Sequence, residues 1–270
     1  MPHEWPPLLP GDPDEIARRV AAVLDDAWSR LDAQQRAVLH QLARNDRRAD
    51  IAARLEEFKQ AIRAFRHRVD DEARQFVRRQ LPHLYEKGAR AAAETLGTTF
   101  AWTTFHRDAL QSLAADSYAD FLRRSQEAER MAHQFYRAVR EAAREEVPLL
   151  AAGNLTGKQA AKNLADKLAK RYGLTHVVYR NGARVPVRVW AQAATLAKSA
   201  VAYNAGTLNR ARQAGVRQVE VFDGADCGWT SHQDPDKAIG TLRTIEEAAE
   251  WPISHPRCRR AFGPRPDVSQ

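Results

Sequence analysis

The 270-residue sequence contains only two cysteines, and no run approaches the roughly 20 consecutive apolar residues that a membrane-spanning helix requires. Two cysteines exclude a disulfide framework, although they suffice for one bridge or for a share of one metal site. The opening residues, MPHEWPPLLPGDPDE, have neither the basic segment nor the apolar core of a signal peptide. The chain is therefore expected neither to span a membrane nor to be secreted by that route. Also missing are HExxH, a Walker loop, GxSxG and the His-x-Glu with Pro-Cys-x-x-Cys pairing, so the common signatures of zinc proteases, nucleotide hydrolases, serine hydrolases and base deaminases are absent. What the sequence does have is ordinary globular material. Hydrophobic residues make up 44% and charged residues 28%, too apolar for a chain disordered throughout and long enough for one or two domains with a real core.

Charge divides the chain. Residues 1 to 150 carry 24 basic and 24 acidic side chains, whereas residues 151 to 270 carry 18 and 10. The whole net charge of +8 therefore lies in the last 120 residues. Such an asymmetry suggests different partners for the two halves, with a polyanion the natural candidate for the second and a solvated basic face the plainer alternative.

Residues 1 to 11 are proline-rich and read as an extended arm. Asp12, Pro13 and Glu15 then have the chemistry of a helix start, with a capping carboxylate, a proline at the first helical position and an acid able to reach back to the cap. Ile16, Val20, Val23, Leu24, Trp28, Leu31, Val38 and Leu39 follow at helical spacing. A second helix is marked by Ile51, Leu55, Phe58, Ile62, Phe65 and Val69, whose steps alternate between four and three as in a coiled-coil seam. This seam fits either an oligomerisation helix or a hairpin packed on the first helix. Glu72 interrupts it, Ala73 and Phe76 resume it, and Pro82 is expected to end or kink the helix near Gln80. Residues 83 to 148 continue as helical sequence broken near Gly97. Their aromatics, Phe100, Trp102, Phe105, Tyr118, Phe121, Phe135 and Tyr136, read as core contacts.

The texture changes after Gly153, which places a linker around 148–157. Residues 156 to 171 read as a basic helix carrying Lys158, Lys162, Lys167, Lys170 and Arg171. HVVYRNGARVPVRVW then gives two β-rich runs flanking Asn181-Gly182, a strong hairpin signal because this pair readily adopts positive φ. A helix over 191 to 214 ending at Gly215 and a strand over 218 to 222 follow. The expected fold class is α+β, with an arm at 1–11, a helical domain at 12–149 and a small α+β domain with a loop-rich tail at 150–270.

The tail holds both cysteines. Four residues lie between Cys227 and His232, two between His255 and Cys258, and 22 between the pairs. Two cysteines and two histidines can supply the four ligands of a closed structural zinc site. Free thiols or a Cys227 to Cys258 bridge are the alternatives, the bridge being disfavoured in a reducing cytoplasm. The spacing is not that of a DNA-reading finger, and no helical pattern is evident between the pairs.

These residues resemble a family signature. The minor head proteins of tailed bacteriophages, the Mu F-like and minor capsid protein 2 families, end in a strand followed by Asp-x-x-x-Cys-x-x-Cys and later His-Pro-x-Cys-Arg-Cys. Asp223, Cys227, His255, Pro256, Cys258 and Arg259 match this pattern, while Thr230 and Arg260 stand where the family has its other two cysteines. The preceding hairpin with Asn181, Gly182 and Pro186 is similar as well, as are Thr195, Asn204 and Gly206 in the long helix after it, although Ala194 replaces a usual arginine. The resemblance covers about residues 150 to 265. It implies that a metal, if bound, recruits His232 and His255, or else that the tail is held by packing of Trp229, Trp251 and Phe262.

The resemblance further implies a minor capsid component acting in head morphogenesis without catalysis. Such a protein lies inside the virion near the portal, after assembly in the host cytoplasm, and meets portal protein, scaffold or major capsid protein and packaged DNA. A second expectation is sequence-tolerant nucleic-acid binding through the basic helix together with Arg257, Arg259, Arg260 and Arg265. A third is an enzyme, either an effector of the kind sometimes joined to Mu F-like domains or a zinc hydrolase or nuclease, which would need an open metal position and a general base, for which Asp223, Asp226 and Asp234 are nearest in sequence.

Overall fold

Proline in the first turn and acids beside it start helix α1 (Pro13–Ala43), and Asn45 stops it. Asn45 adopts φ 56°, and the N–H groups of Asn45 and Asp46 return to the carbonyls of Leu42 and Gln41 at 3.0 and 3.2 Å, closing the last turn. The computed structural model describes residues 13–149, 157–179, 181–223 and 239–268. The expected arm, the capping Asp12 and most of the 148–157 linker lie outside them. Helix α2 (Arg48–Gln75) follows, and every seam residue from Ile51 to Val69 is buried. The hairpin alternative is the one realised. Phe65 meets Trp28 of α1 edge to face at 4.5 Å, and Phe58 meets Phe135 at 5.3 Å. Each such side chain removed from water contributes roughly 1.5 to 3 kcal/mol.

Pro82 neither ends nor sharply breaks this helix. Residues Phe76–Gln80 form a π turn, in which the Leu81 N–H reaches the Phe76 carbonyl five residues back, and α3 (Leu81–Thr95) continues with Pro82 in its first turn. The wider turn accommodates a residue that cannot donate and whose ring would crowd the carbonyl four residues earlier. Helix α4 (Thr104–Leu149) completes the N-terminal helices. Of its aromatics Phe121 and Phe135 are buried as expected, whereas Phe105 is 43% exposed and is not a core residue.

Helix α5 (Gly157–Tyr172) leads to a hairpin of β1 (His176–Val178) and β2 (Arg184–Pro186). In its turn Gly182 takes φ 80°, while the Asn181 side-chain oxygen accepts from the Ala183 N–H at 3.1 Å. Helix α6 (Val187–Gln213) ends at Gly215, and β3 (Gln218–Phe222) forms the centre of a three-stranded antiparallel sheet in the order β4-β3-β5. The outer strands are β4 (Leu242–Thr244) and β5 (Ala261–Pro264). Between them lies α7 (Ile245–Glu250), so the expectation of no helix in the tail is corrected. Thr244 and Glu247 start it with a reciprocal capping box, the Glu247 N–H donating to the Thr244 hydroxyl at 3.2 Å and the Thr244 N–H to the Glu247 carboxylate at 2.9 Å. Val219 and Val221 of β3 pack with Leu208 and Ala211 of α6, Ile245 and Ala248 of α7, and Phe262 of β5.

The fold is α+β, with long helices preceding a small region of two sheets. Its compact units follow neither half of the sequence. One comprises 1–20, 74–119 and 191–270, and the other 21–73 and 120–190. Both draw on the helical half and the basic half, because Trp190 closes on Trp28 and Phe121 in the second unit while α3 lies against α6 in the first.

Candidate functional site: a buried polar hub and an exposed basic helix

Helices α3 and α6 cross at two glycines. A Cβ on Gly88 would lie 1.9 Å from the Tyr203 carbonyl oxygen, and one on Gly206 would lie 2.0 Å from that of Tyr85. Only hydrogen fits at either position, and the Thr207 hydroxyl donates to the Gly88 carbonyl at 3.1 Å across the crossing. Thr195, one helical stretch earlier, is fully buried and donates back to the Ala191 carbonyl at 2.8 Å.

Near the same crossing, Tyr85, His106, Asn209 and Gln213 form a hydrogen-bonded chain, with Tyr85 and His106 buried, Asn209 half-buried and Gln213 exposed. The Asn209 amide donates to the Tyr85 hydroxyl at 2.9 Å, and that hydroxyl lies 2.9 Å from His106 Nδ1, whose Nε2 lies 3.1 Å from Gln213 Oε1. The directions assign the tautomer. Gln213 Oε1 can only accept, so Nε2 carries the proton and Nδ1 accepts from Tyr85. Burial pulls the His106 pKa below its ordinary value, with the Arg210 guanidinium adding to the shift, while burial pushes the Tyr85 hydroxyl up. An unfolded chain takes up a proton near the ordinary histidine value of 6.5 and the folded one at lower pH. Stability should therefore fall as pH drops through 6.5 toward the lowered folded value, then level off. Melting temperatures from pH 7.5 to 5 should show this decline, and His106→Gln should flatten it.

Asn204, Asp223 and Arg260 meet in a second cluster. Asp223, at the end of β3, is held by Arg260, whose Nε and Nη2 donate to its two carboxylate oxygens at 2.7 and 3.1 Å. The pair is buried, Arg260 exposing 2% and Asp223 4%. Arg260 Nη1 donates to the Trp251 carbonyl at 3.3 Å. Asn204, fully buried on α6, uses one amide nitrogen to bridge the carbonyls of Pro252 and Arg260 at 2.7 and 2.9 Å. Its Oδ1 accepts no hydrogen bond among the described residues. A strand end, the long helix and the tail are thus tied together by three side chains distant in sequence. Arg260, expected among the phosphate-binding arginines, has its guanidinium in this cluster rather than on a phosphate-binding surface.

The expected zinc set is described only in part. Cys227 and His232, with Trp229, Thr230, Asp226 and Asp234, lie outside the described residues. His255 and Cys258 are joined by a turn in which the Cys258 N–H donates to the His255 carbonyl at 2.9 Å, with Pro256 exposed between them. Burial pushes the Cys258 thiol up, away from the thiolate a metal takes, although backbone N–H groups of Ser254 and Arg260 oppose this. Among the described residues no three His, Cys, Asp or Glu groups come together as metal ligands.

The two basic groups behave differently. In the tail, Arg259 pairs with Asp14 at 2.7 Å, Arg260 is buried, and Arg265 pairs with Glu220 and Asp267 at 2.9 and 2.6 Å, leaving Arg257 exposed. On α5 the inward face is Ala161, Ala165 and Leu168, while Lys158, Lys162, Lys167, Lys170 and Arg171 are all exposed. Arg171 lies over the Tyr172 ring at 5.4 Å. A further signal was readable in the sequence. No Asp or Glu occurs between Lys167 and Val219, a stretch holding ten Lys and Arg.

Among the described residues no helix is long and apolar enough to cross a membrane. No family model, curated protein or solved structure matches the chain.

Proposed function

We propose that this chain is a minor head component of a tailed bacteriophage, acting without catalysis in head assembly inside the capsid near the portal. One observation carries the reading. Of the residues that make the sequence similar to Mu F-like proteins, Asn204 and Asp223 share one buried cluster with the 251–260 segment, and Gly206 sits where a helix crossing tolerates no side chain. Portal protein, scaffold or major capsid protein are the partners this reading assigns. The hydrolase alternative loses its nearest described base, since both oxygens of Asp223 are engaged by a buried guanidinium.

Mass spectrometry of purified virions tests the proposal. The expected result is the chain in mature heads at a few copies per particle, retained after the tail is removed. Its absence from both mature heads and assembly intermediates would overturn the reading.

A further inference from the structure

Elsewhere on the described helices, several exposed basic side chains are locally neutralised. Arg30 pairs with Asp26, Arg90 with Glu86 and Arg123 with Asp120, each three or four residues away on its own helix, and Arg47, just before α2, pairs with Asp50. Exposed Arg63, Arg66 and Arg68 on α2 make no ion pair among the described residues either, but on α5 such side chains run the length of the helix. Lys158, Lys162, Lys167 and Lys170 make no ion pair among the described residues, and Asp166 is the helix's one acid. Lys158 and Lys162, and Lys167 and Arg171, are instead like charges one turn apart, each pair opposing the helix by about 0.2 to 0.5 kcal/mol. Around the helix, Lys162 and Lys170 lie roughly 40° and 120° from Lys158, on one broad side of the exposed arc. They are spread over roughly 18 Å of its length.

The hairpin that follows α5 in the same compact unit extends this character. Register pairs His176 with Pro186 and Val178 with Arg184, and these four residues form its exposed face, with exposed Arg188 just beyond. Neither α5 nor the hairpin presents an acid other than Asp166.

We infer that the outer face of α5, extended by Arg184 and Arg188, binds the phosphate backbone of duplex DNA without reading sequence. An anionic membrane fits less well, because the apolar face that would enter the lipid boundary, Ala161, Ala165 and Leu168, is buried in the fold. Single strands fit less well, because they are held largely by stacking on open aromatic rings. The half-exposed Tyr179 ring in this region is already covered by the Arg124 guanidinium at 5.3 Å. A duplex offers the densest row of phosphates and asks only for unpaired cations facing outward. The inference stands apart from the head-protein reading, since a chain absent from virions could still bind DNA, and a head component could fail to.

The test uses the purified full chain and fluorescence anisotropy with two unrelated 20-base-pair duplexes. Equal affinity for both is expected, at about 10⁻⁴ to 10⁻⁶ M in physiological salt, with log K falling against log salt at a slope of about −3. Combining Lys158→Gln, Lys162→Gln and Lys170→Gln should weaken binding at least ~10-fold and remove most of that slope. Glutamine matches lysine in helix propensity, so the melting temperature should hold. Arg30→Gln, Arg47→Gln and Arg123→Gln together remove the same charge from paired positions and should change affinity less than ~3-fold. Equal loss in both triple variants would reduce the effect to net charge and overturn the inference. So would absence of binding, or equally strong competition by phosphatidylglycerol vesicles or polyglutamate at matched charge.

Discussion

Gly206→Ala should lower stability by at least about 2 kcal/mol, although alanine is the better helix former. In an open helix the substitution would gain about 1 kcal/mol. Here the new methyl would stand 2.0 Å from the Tyr85 carbonyl oxygen, 2.9 Å from its carbon and 3.0 Å from the Ala89 nitrogen. All three are backbone atoms of α3, so no rotamer change relieves the clash. The helices must separate, at an overpacking cost of about 3 kcal/mol or more. Separation also lengthens the Thr207 to Gly88 bond and the Asn209 to Tyr85 bond, which loosens the partners that fix the His106 tautomer. A melting temperature lower by roughly 5 °C or more is expected for a domain of this size. Gly88→Ala should behave alike, its methyl meeting the Tyr203 carbonyl, and the double variant should cost less than the sum because one displacement of the crossing serves both. Calorimetric melting showing either single variant more stable than the parent would contradict this packing.

These two glycines mark the limit of what the sequence discloses. Gly206 stood out through resemblance, and Gly88 as an isolated glycine in helical sequence, but nothing in one dimension says that each faces the other's carbonyl. Local signals fared well. The four-three spacing of Ile51 to Val69, the Asn181-Gly182 turn and the Gly215 stop all act between residues close in sequence, and all recur in the structure. The capping box at Thr244 and Glu247 was equally local and was legible as Thr-x-x-Glu before an apolar residue. Strand β5 was not, because its partner β3 lies about 40 residues earlier and its four residues, AFGP, carry little strand propensity of their own. The division into compact units was hidden for the same reason: Trp28, Phe121 and Trp190 meet only once three helices have assembled. Arg260 shows how charge misleads. Counted among tail arginines, it reads as a phosphate ligand; only the fold reveals that Asp223 waits for it, 37 residues upstream.

Arg260→Met should be the most damaging single change in the tail. It deletes both bonds to Asp223 and the bond to the Trp251 carbonyl, and leaves a carboxyl group buried with its partner gone. Removing one member of such a pair typically costs about 3 to 5 kcal/mol, most of it the penalty on the group left behind. The double variant Arg260→Met with Asp223→Leu removes both groups, and should recover much of the loss, since apolar replacements of a buried pair are often near neutral. Denaturant melts of the two singles and the double, analysed as a cycle, should give a coupling of at least about 2 kcal/mol. Simple additivity would mean that the two groups do not meet. The same series separates the two ways of holding the tail. If zinc on His255 and Cys258 ties it, a strong chelator should lower the melting temperature and Arg260→Met should do little. If the guanidinium ties it, the chelator should do little and Arg260→Met should be severe.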